Sequence, residues 1–142
     1  MPSAQRSVVI NRPVEQVFAF FTDPSNELKW RTHLKEVAAQ GPIGVGSRIH
    51  QVVKGPGRGI PADIEVTAFE QSSRYGFRVV AGPVRPIGEY TFAAKEGGTT
   101  VSLSLSAELT GIKKLLMSRA VQRSMDSEVN ALDRAKTVIE GS

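Results

Sequence analysis

The sequence predicts an α+β domain in which a curved antiparallel β-sheet wraps around a long C-terminal α-helix, with two short helices after the first strand. Three observations predict it. A β-branched opening run precedes two brief helical patterns, the stretch from Leu34 to Leu109 alternates with a period of two, and Gly111–Glu140 contains neither proline nor an internal glycine. The 142 residues read as one domain, 1–142, since domains run to about 100–200 residues and the composition (40% hydrophobic, 23% charged) is ordinary globular.

The first strand runs from Arg6 to Ile10. Asn11 stands where an N-cap belongs, with Pro13 just inside the helix and Glu15 in its first turn. Val14, Val17, Phe18, Phe20 and Phe21 then recur at helical spacing. Asp23-Pro24-Ser25 stops this helix, and Asn26 to Arg31 forms a second short turn carrying Trp30. After turns at Gly41-Pro42 and Gly44-Val45-Gly46, Ser47 to Lys54 reads as a strand and Gly55–Gly59 as a mobile hairpin tip that gates the interior. Ile60 to Phe69 reads as one strand, with Ile60, Ala62, Ile64 and Val66 on one face and Asp63, Glu65 and Thr67 on the other. Tyr75, Phe77 and Val79, then Tyr90 and Phe92, then Val101, Leu103, Leu105, Ala107 and Leu109 supply the inner positions of three more strands. Short gaps between them imply hairpins.

One face of such a sheet is apolar and needs a cover. On a helical wheel Met117, Val121, Met125, Val129, Leu132, Ala135 and Ile139 share a stripe. A helix from Ile112 to Ile139, stopped by Gly141, is about 42 Å long at 1.5 Å per residue. Ile112, Leu115 and Leu116 fall on its polar side beside Lys113, Lys114 and Arg119. They are either a turn that packs separately or an apolar tip that touches a membrane, a partner or an incoming ligand.

Composition removes several chemistries. Without cysteine there are no disulfides, thiolate nucleophiles or Cys-based zinc sites, and two histidines leave no metal-ligand spacing, so no metal and no cofactor are expected. A net charge of +4 is spread along the chain without interleaved aromatics, which argues against nucleic acid as a partner. The opening residues lack a leader pattern and no run is long enough to span a bilayer, so the expected location is cytoplasmic. Gly44-x-Gly46 precedes a strand, Gly55–Gly59 lacks a following Lys-Ser/Thr, and there is no G-x-S-x-G elbow.

Asn11-Arg12-Pro13-Val14-Glu15-Gln16-Val17-Phe18-Ala19-Phe20, Asp23-Pro24 with Trp30, Gly44-Val45-Gly46-Ser47-Arg48, Glu65-Val66-Thr67-Ala68-Phe69-Glu70 and Gly88-Glu89-Tyr90-Thr91-Phe92 together resemble the START-like, polyketide cyclase-like (SRPBCC) superfamily. Its fold is the helix-grip, also found in birch-pollen-type allergens. The resemblance covers almost the whole chain and implies a deep apolar cavity between sheet and C-terminal helix. It carries no shared catalytic set to this sequence.

The expected function is therefore binding of a hydrophobic small molecule, lipid-like or polycyclic and polyketide-like. The alternatives are a polyketide cyclase/dehydratase-type enzyme acting in the same cavity, and a protein- or membrane-interaction module. The expected lining is Trp30, Gln51, Ile64, Val66, Phe77, Tyr90, Phe92, Leu103, Leu105, Met117, Val121 and Met125. Small residues at Ala62, Gly88 and Ala107 leave room for it. Catalytic candidates are Tyr90, His50 and Gln51, with the register of that strand open: either Ile49, Gln51 and Val53 face inward, or Arg48, His50 and Val52 do. His33 is a surface-loop residue or stands at the cavity mouth, and Trp30 is a corner plug or an entrance wall. Tyr75 offers a phenol, whereas Arg78, Arg85 and Glu89 are solvated sheet charges.

Overall fold

Alternating side chains sort onto two faces of one continuous hydrogen-bonded ladder. The computed structural model describes residues 2–81 and 84–141, with positions 113 and 115 described by backbone alone. β1 (Ser3–Ile10) is followed by α1 (Val14–Thr22), a 3-10 turn (Pro24–Asn26) and α2 (Glu27–Trp30). Then come β2 (Leu34–Ala39), β3 (Arg48–Val53), β4 (Ile60–Pro61), β5 (Ile64–Glu70), β6 (Arg74–Val79), β7 (Ile87–Lys95) and β8 (Gly98–Ser106), and the chain closes with α3 (Gly111–Asn130) and α4 (Leu132–Glu140). The described strands form an antiparallel sheet in the order β1-β8-β7-β6-β5-β3-β2, with β4 paired to β3. This is the helix-grip arrangement: the sheet curls around the C-terminal helix, and α1 and α2 carry the chain from the β1 edge to the β2 edge.

The inner face is aromatic. Tyr75 lies opposite Tyr90, and Tyr90 opposite Leu103. A β-bulge between Val66 and Ala68 slips the parity of β5, so Phe69 pairs with Tyr75 and turns inward where strict alternation would send Ala68. Phe69 then meets Phe18 edge-on at 5.3 Å between ring centroids.

The β1 edge is covered rather than left open. Arg6 forks onto Asp133 at 2.6 and 2.8 Å, Gln122 exchanges hydrogen bonds with both backbone groups of Ser3, and Lys136 Nζ donates to the Val9 carbonyl at 2.5 Å. Val121, Met125, Val129, Leu132, Ala135 and Ile139 are buried, as their stripe requires, while Met117 is half-buried. Ile112 and Leu116 are 74% and 72% exposed, so the first turns of α3 stand clear of the core. The side chains of Lys113 and Leu115 lie outside the described residues. Among the described residues no helix is long and apolar enough to cross a membrane.

Local details depart from the expected pattern in four places. Pro13, not Asn11, is the N-cap of α1, and the Asn11 amide is drawn instead to Glu140 Oε2 at 2.8 Å by the arriving end of α4. Ile60–Phe69 is not one strand, because Pro61 has no N–H with which to continue a ladder; β4 ends there and Ile60 is exposed. The terminal helix is not one uniform rod. At Ala131 the amide is shared between the Ser127 and Glu128 carbonyls and the Arg134 amide returns to Ala131 at 3.0 Å, a local tightening that no proline or glycine announces. Gly141 keeps right-handed helical angles (φ −87°, ψ −3°) and so is not a left-handed stop.

Candidate functional site

The sharpest feature of the interior is polar. α2 is a single turn, so its first residue, Glu27, and the residue that caps its end, Arg31, are four apart and share a face, with the Arg31 amide closing onto the Glu27 carbonyl at 2.8 Å. β3 turns Gln51 inward, the link after α2 brings His33, and α3 brings Glu128. Arg31 Nη1 donates to Glu27 Oε1 (3.4 Å) and Gln51 Oε1 (3.3 Å), and Nη2 donates to Glu128 Oε1 (2.8 Å). Gln51 Nε2 donates to the other oxygen of Glu27 at 3.0 Å. His33 Nε2 pairs with Glu128 Oε1 and lies 3.4 Å from Arg31 Nη2.

Both terminal nitrogens of the guanidinium are therefore committed, and its Nε is sealed without a partner among the described residues, as is Trp30 Nε1. Burial pushes the Glu27 carboxyl up, only partly countered by Arg31. Burial also acts upward on Glu128, but Arg31 and then His33 overcome it and hold that carboxyl at about 2. Nearby attraction to Glu128 and Glu27 outweighs the desolvation of Arg31, which stays charged.

Beside this node stand two phenols. Tyr90 stacks on Tyr75 and on Phe92 at 6.0 and 6.3 Å, and Phe21 lies between Tyr90 and Trp30, at 5.3 and 5.5 Å from their rings. Burial first, and Glu27 next, raise both tyrosines above their ordinary value, so each keeps its proton and offers an O–H donor. Among the described residues neither hydroxyl has a hydrogen-bond partner.

The remaining apolar candidates lie on the inner side. Trp30, Ile64, Val66, Phe92, Leu103, Leu105, Val121 and Met125 are buried. Phe77, Val79, Val84 and Met117 pack on the core yet keep exposed surface, so the apolar interior meets solvent there. The space above Gly88 is filled: a Cβ there would lie 2.2 Å from Phe77 Cζ, because the Phe77 ring rests on the glycine. Trp30 is 1% exposed, which makes it a corner plug rather than an entrance wall.

His50 departs from its expected role. Ile49 and Gln51 are buried and His50 is exposed, so the register turns the histidine outward, with Nδ1 2.6 Å from Asp63 Oδ1. There it lines an open outer groove of about 520 Å³ with Ala38, Gln40, Arg48 and Asp63, away from Tyr90 and Gln51. His33 is neither a free surface histidine nor an isolated mouth residue but part of the buried network. Glu27, Arg31 and Glu128 escaped sequence reasoning. A signal existed for the last: 121, 125, 128, 132, 135 and 139 follow a strict three–four spacing, which puts Glu128 inside the buried stripe. Among the described residues no cluster of three or more metal-binding side chains occurs.

The family described as polyketide cyclase / dehydrase and lipid transport matches residues 1–140. No curated protein matches the chain significantly. Among solved structures, a protein from Thermus thermophilus superposes with a TM-score of 0.80 at 21% identity over 97% of each chain. A START superfamily protein from Mycobacterium smegmatis reaches 0.72 at 12% identity, over 98% of this chain and 94% of its own. Ara h 8.0201 reaches 0.72 at 11% identity over 99% and 98%. At these identities the likeness is one of fold.

Proposed function

Because the chain belongs to the polyketide cyclase / dehydrase and lipid transport family, we propose that it binds a hydrophobic small molecule, lipid-like or polyketide-like, between its sheet and its C-terminal helix. Ile64, Val66, Phe77, Phe92, Leu103 and Leu105 supply the sheet wall, Met117, Val121 and Met125 the helix wall, and Trp30 the closed end. Gln51 stands with the polar node at the border of that wall. Apolar burial provides the drive at about 25 cal/mol per Å².

The observation that carries this reading is a pair of phenol hydroxyls, on the buried side chains of Tyr75 and Tyr90, that donate to nothing among the described residues. An O–H set in apolar surroundings with no acceptor among the described residues, and not sealed as Arg31 Nε and Trp30 Nε1 are, is open to a guest that bears one. Native mass spectrometry of the purified protein tests it. The expected result is a retained apolar guest whose affinity falls about fivefold in Tyr90→Phe, the worth of one hydrogen bond. A wild-type protein that holds no apolar guest at all overturns the reading.

The same protonated phenol favours a second reading, a polyketide cyclase/dehydratase-type enzyme in which Tyr90 polarises a carbonyl of the bound chain. Turnover of a poly-β-keto probe, lost in Tyr90→Phe but kept in His50→Ala, separates enzyme from carrier.

A further inference from the structure

We infer that the guest is uncharged and carries a hydrogen-bond acceptor, as a ketone, ester or quinone does, and that the interior rejects carboxylates and other anions. This rests on the cavity reading above and narrows it. A buried arginine in an apolar interior invites the opposite expectation, a clamp for the head group of a fatty acid. The geometry excludes that use of Arg31. Its Nη1 is taken by Glu27 and Gln51, its Nη2 by Glu128, and its Nε is sealed. Both N–H bonds of Nη1 are spent, which closes the end-on fork, and the sealed Nε closes the side-on one, so Arg31 offers no bidentate face for a carboxylate.

The charges around the phenols reinforce the exclusion. α2 contributes Glu27, the link after it Arg31 and His33, α3 contributes Glu128, and β3 contributes only the neutral Gln51. Two carboxylates thus face one guanidinium. At both tyrosines burial is the main force against a negative charge, and the repulsion from Glu27 exceeds the attraction of Arg31. A ligand carboxylate placed against those hydroxyls meets the same desolvation and the same field. A neutral carbonyl meets neither, and it accepts both O–H donors.

The test is competition on the intact protein. A solvatochromic naphthyl ketone serves as the reporter, and methyl laurate and laurate, equal in chain length and different in charge, compete for it at about pH 8, where free laurate is ionised. Methyl laurate should displace the reporter at roughly tenfold lower concentration than laurate. Glu27→Gln, which keeps an oxygen for Arg31 while removing a charge, should narrow that ratio. Laurate that competes as well as its ester overturns the inference and leaves the cavity reading standing. A reporter that does not bind the wild-type protein overturns both.

Discussion

Arg31 is the residue on which the interior depends most. Removing one partner from a buried ion network leaves the others charged and unpaired, at a cost of about 3–5 kcal/mol. Arg31→Met strands Glu27 and Glu128, so urea unfolding should show a loss of that size. Tyr90 is the contrasting case: its hydroxyl bonds nothing in the described fold, so Tyr90→Phe should leave unfolding within about 0.5 kcal/mol of wild type while weakening ligand binding. Gly88 shows a third kind of dependence. The Phe77 ring occupies the place of its side chain, so Gly88→Ala should destabilise by about 1–3 kcal/mol through overpacking, and Gly88→Ala with Phe77→Leu should recover part of it. Of these positions, Tyr90 and Gly88 could be assigned to the inner face from alternation. Arg31 could not, because a one-turn helix has too few residues to show which face is buried.

The terminal helix divides into parts with different duties. From Val121 onward its stripe is buried against β1, β8 and α2, whereas Ile112 and Leu116 at its start touch solvent. Leu132→Ala should therefore cost about 2–5 kcal/mol and Leu116→Ala under about 0.5 kcal/mol, as chemical denaturation will show. The stripe itself was legible, since six buried positions follow the wheel. The tightened turn at Ala131 was not. It comes from how carbonyls are shared where α3 meets α4, and alanine suits either geometry. On the sheet, the bulge at Val66–Ala68 was equally hidden, because a one-residue slip leaves composition unchanged while reversing which of Ala68 and Phe69 faces the core.

For the molecule as a whole, the node ties α2 and the link after it to α3 through charges and to β3 through the Gln51 amide, which gives folding a pH dependence. Glu128 has a lower pKa in the fold, about 2, than its ordinary 4.5, so the native state binds fewer protons than the unfolded chain between those values. Its contribution is complete above about pH 4.5 and lost as pH falls through about 2. Glu27 is raised, so its effect has the opposite sign and falls at higher pH, as its carboxyl ionises. Thermal midpoints should therefore drop steeply on the acid side of pH 4.5, and Glu128→Gln, less stable throughout, should show a flatter acid limb. An unchanged acid limb in that variant would mean that other carboxylates govern the acid transition.

Periodicity alone determined the layers of this protein: which strands are half-buried, that an apolar face needs a cover, and that the last thirty residues provide it. Those properties are local, because each residue's neighbours on a helix or strand are set by fixed spacings of two or of three and four. Only the tertiary structure decided what the interior is electrically. Glu27, Arg31, His33, Gln51 and Glu128 come from four separate segments, and their charges acquire meaning through distances of a few ångströms that no linear spacing encodes.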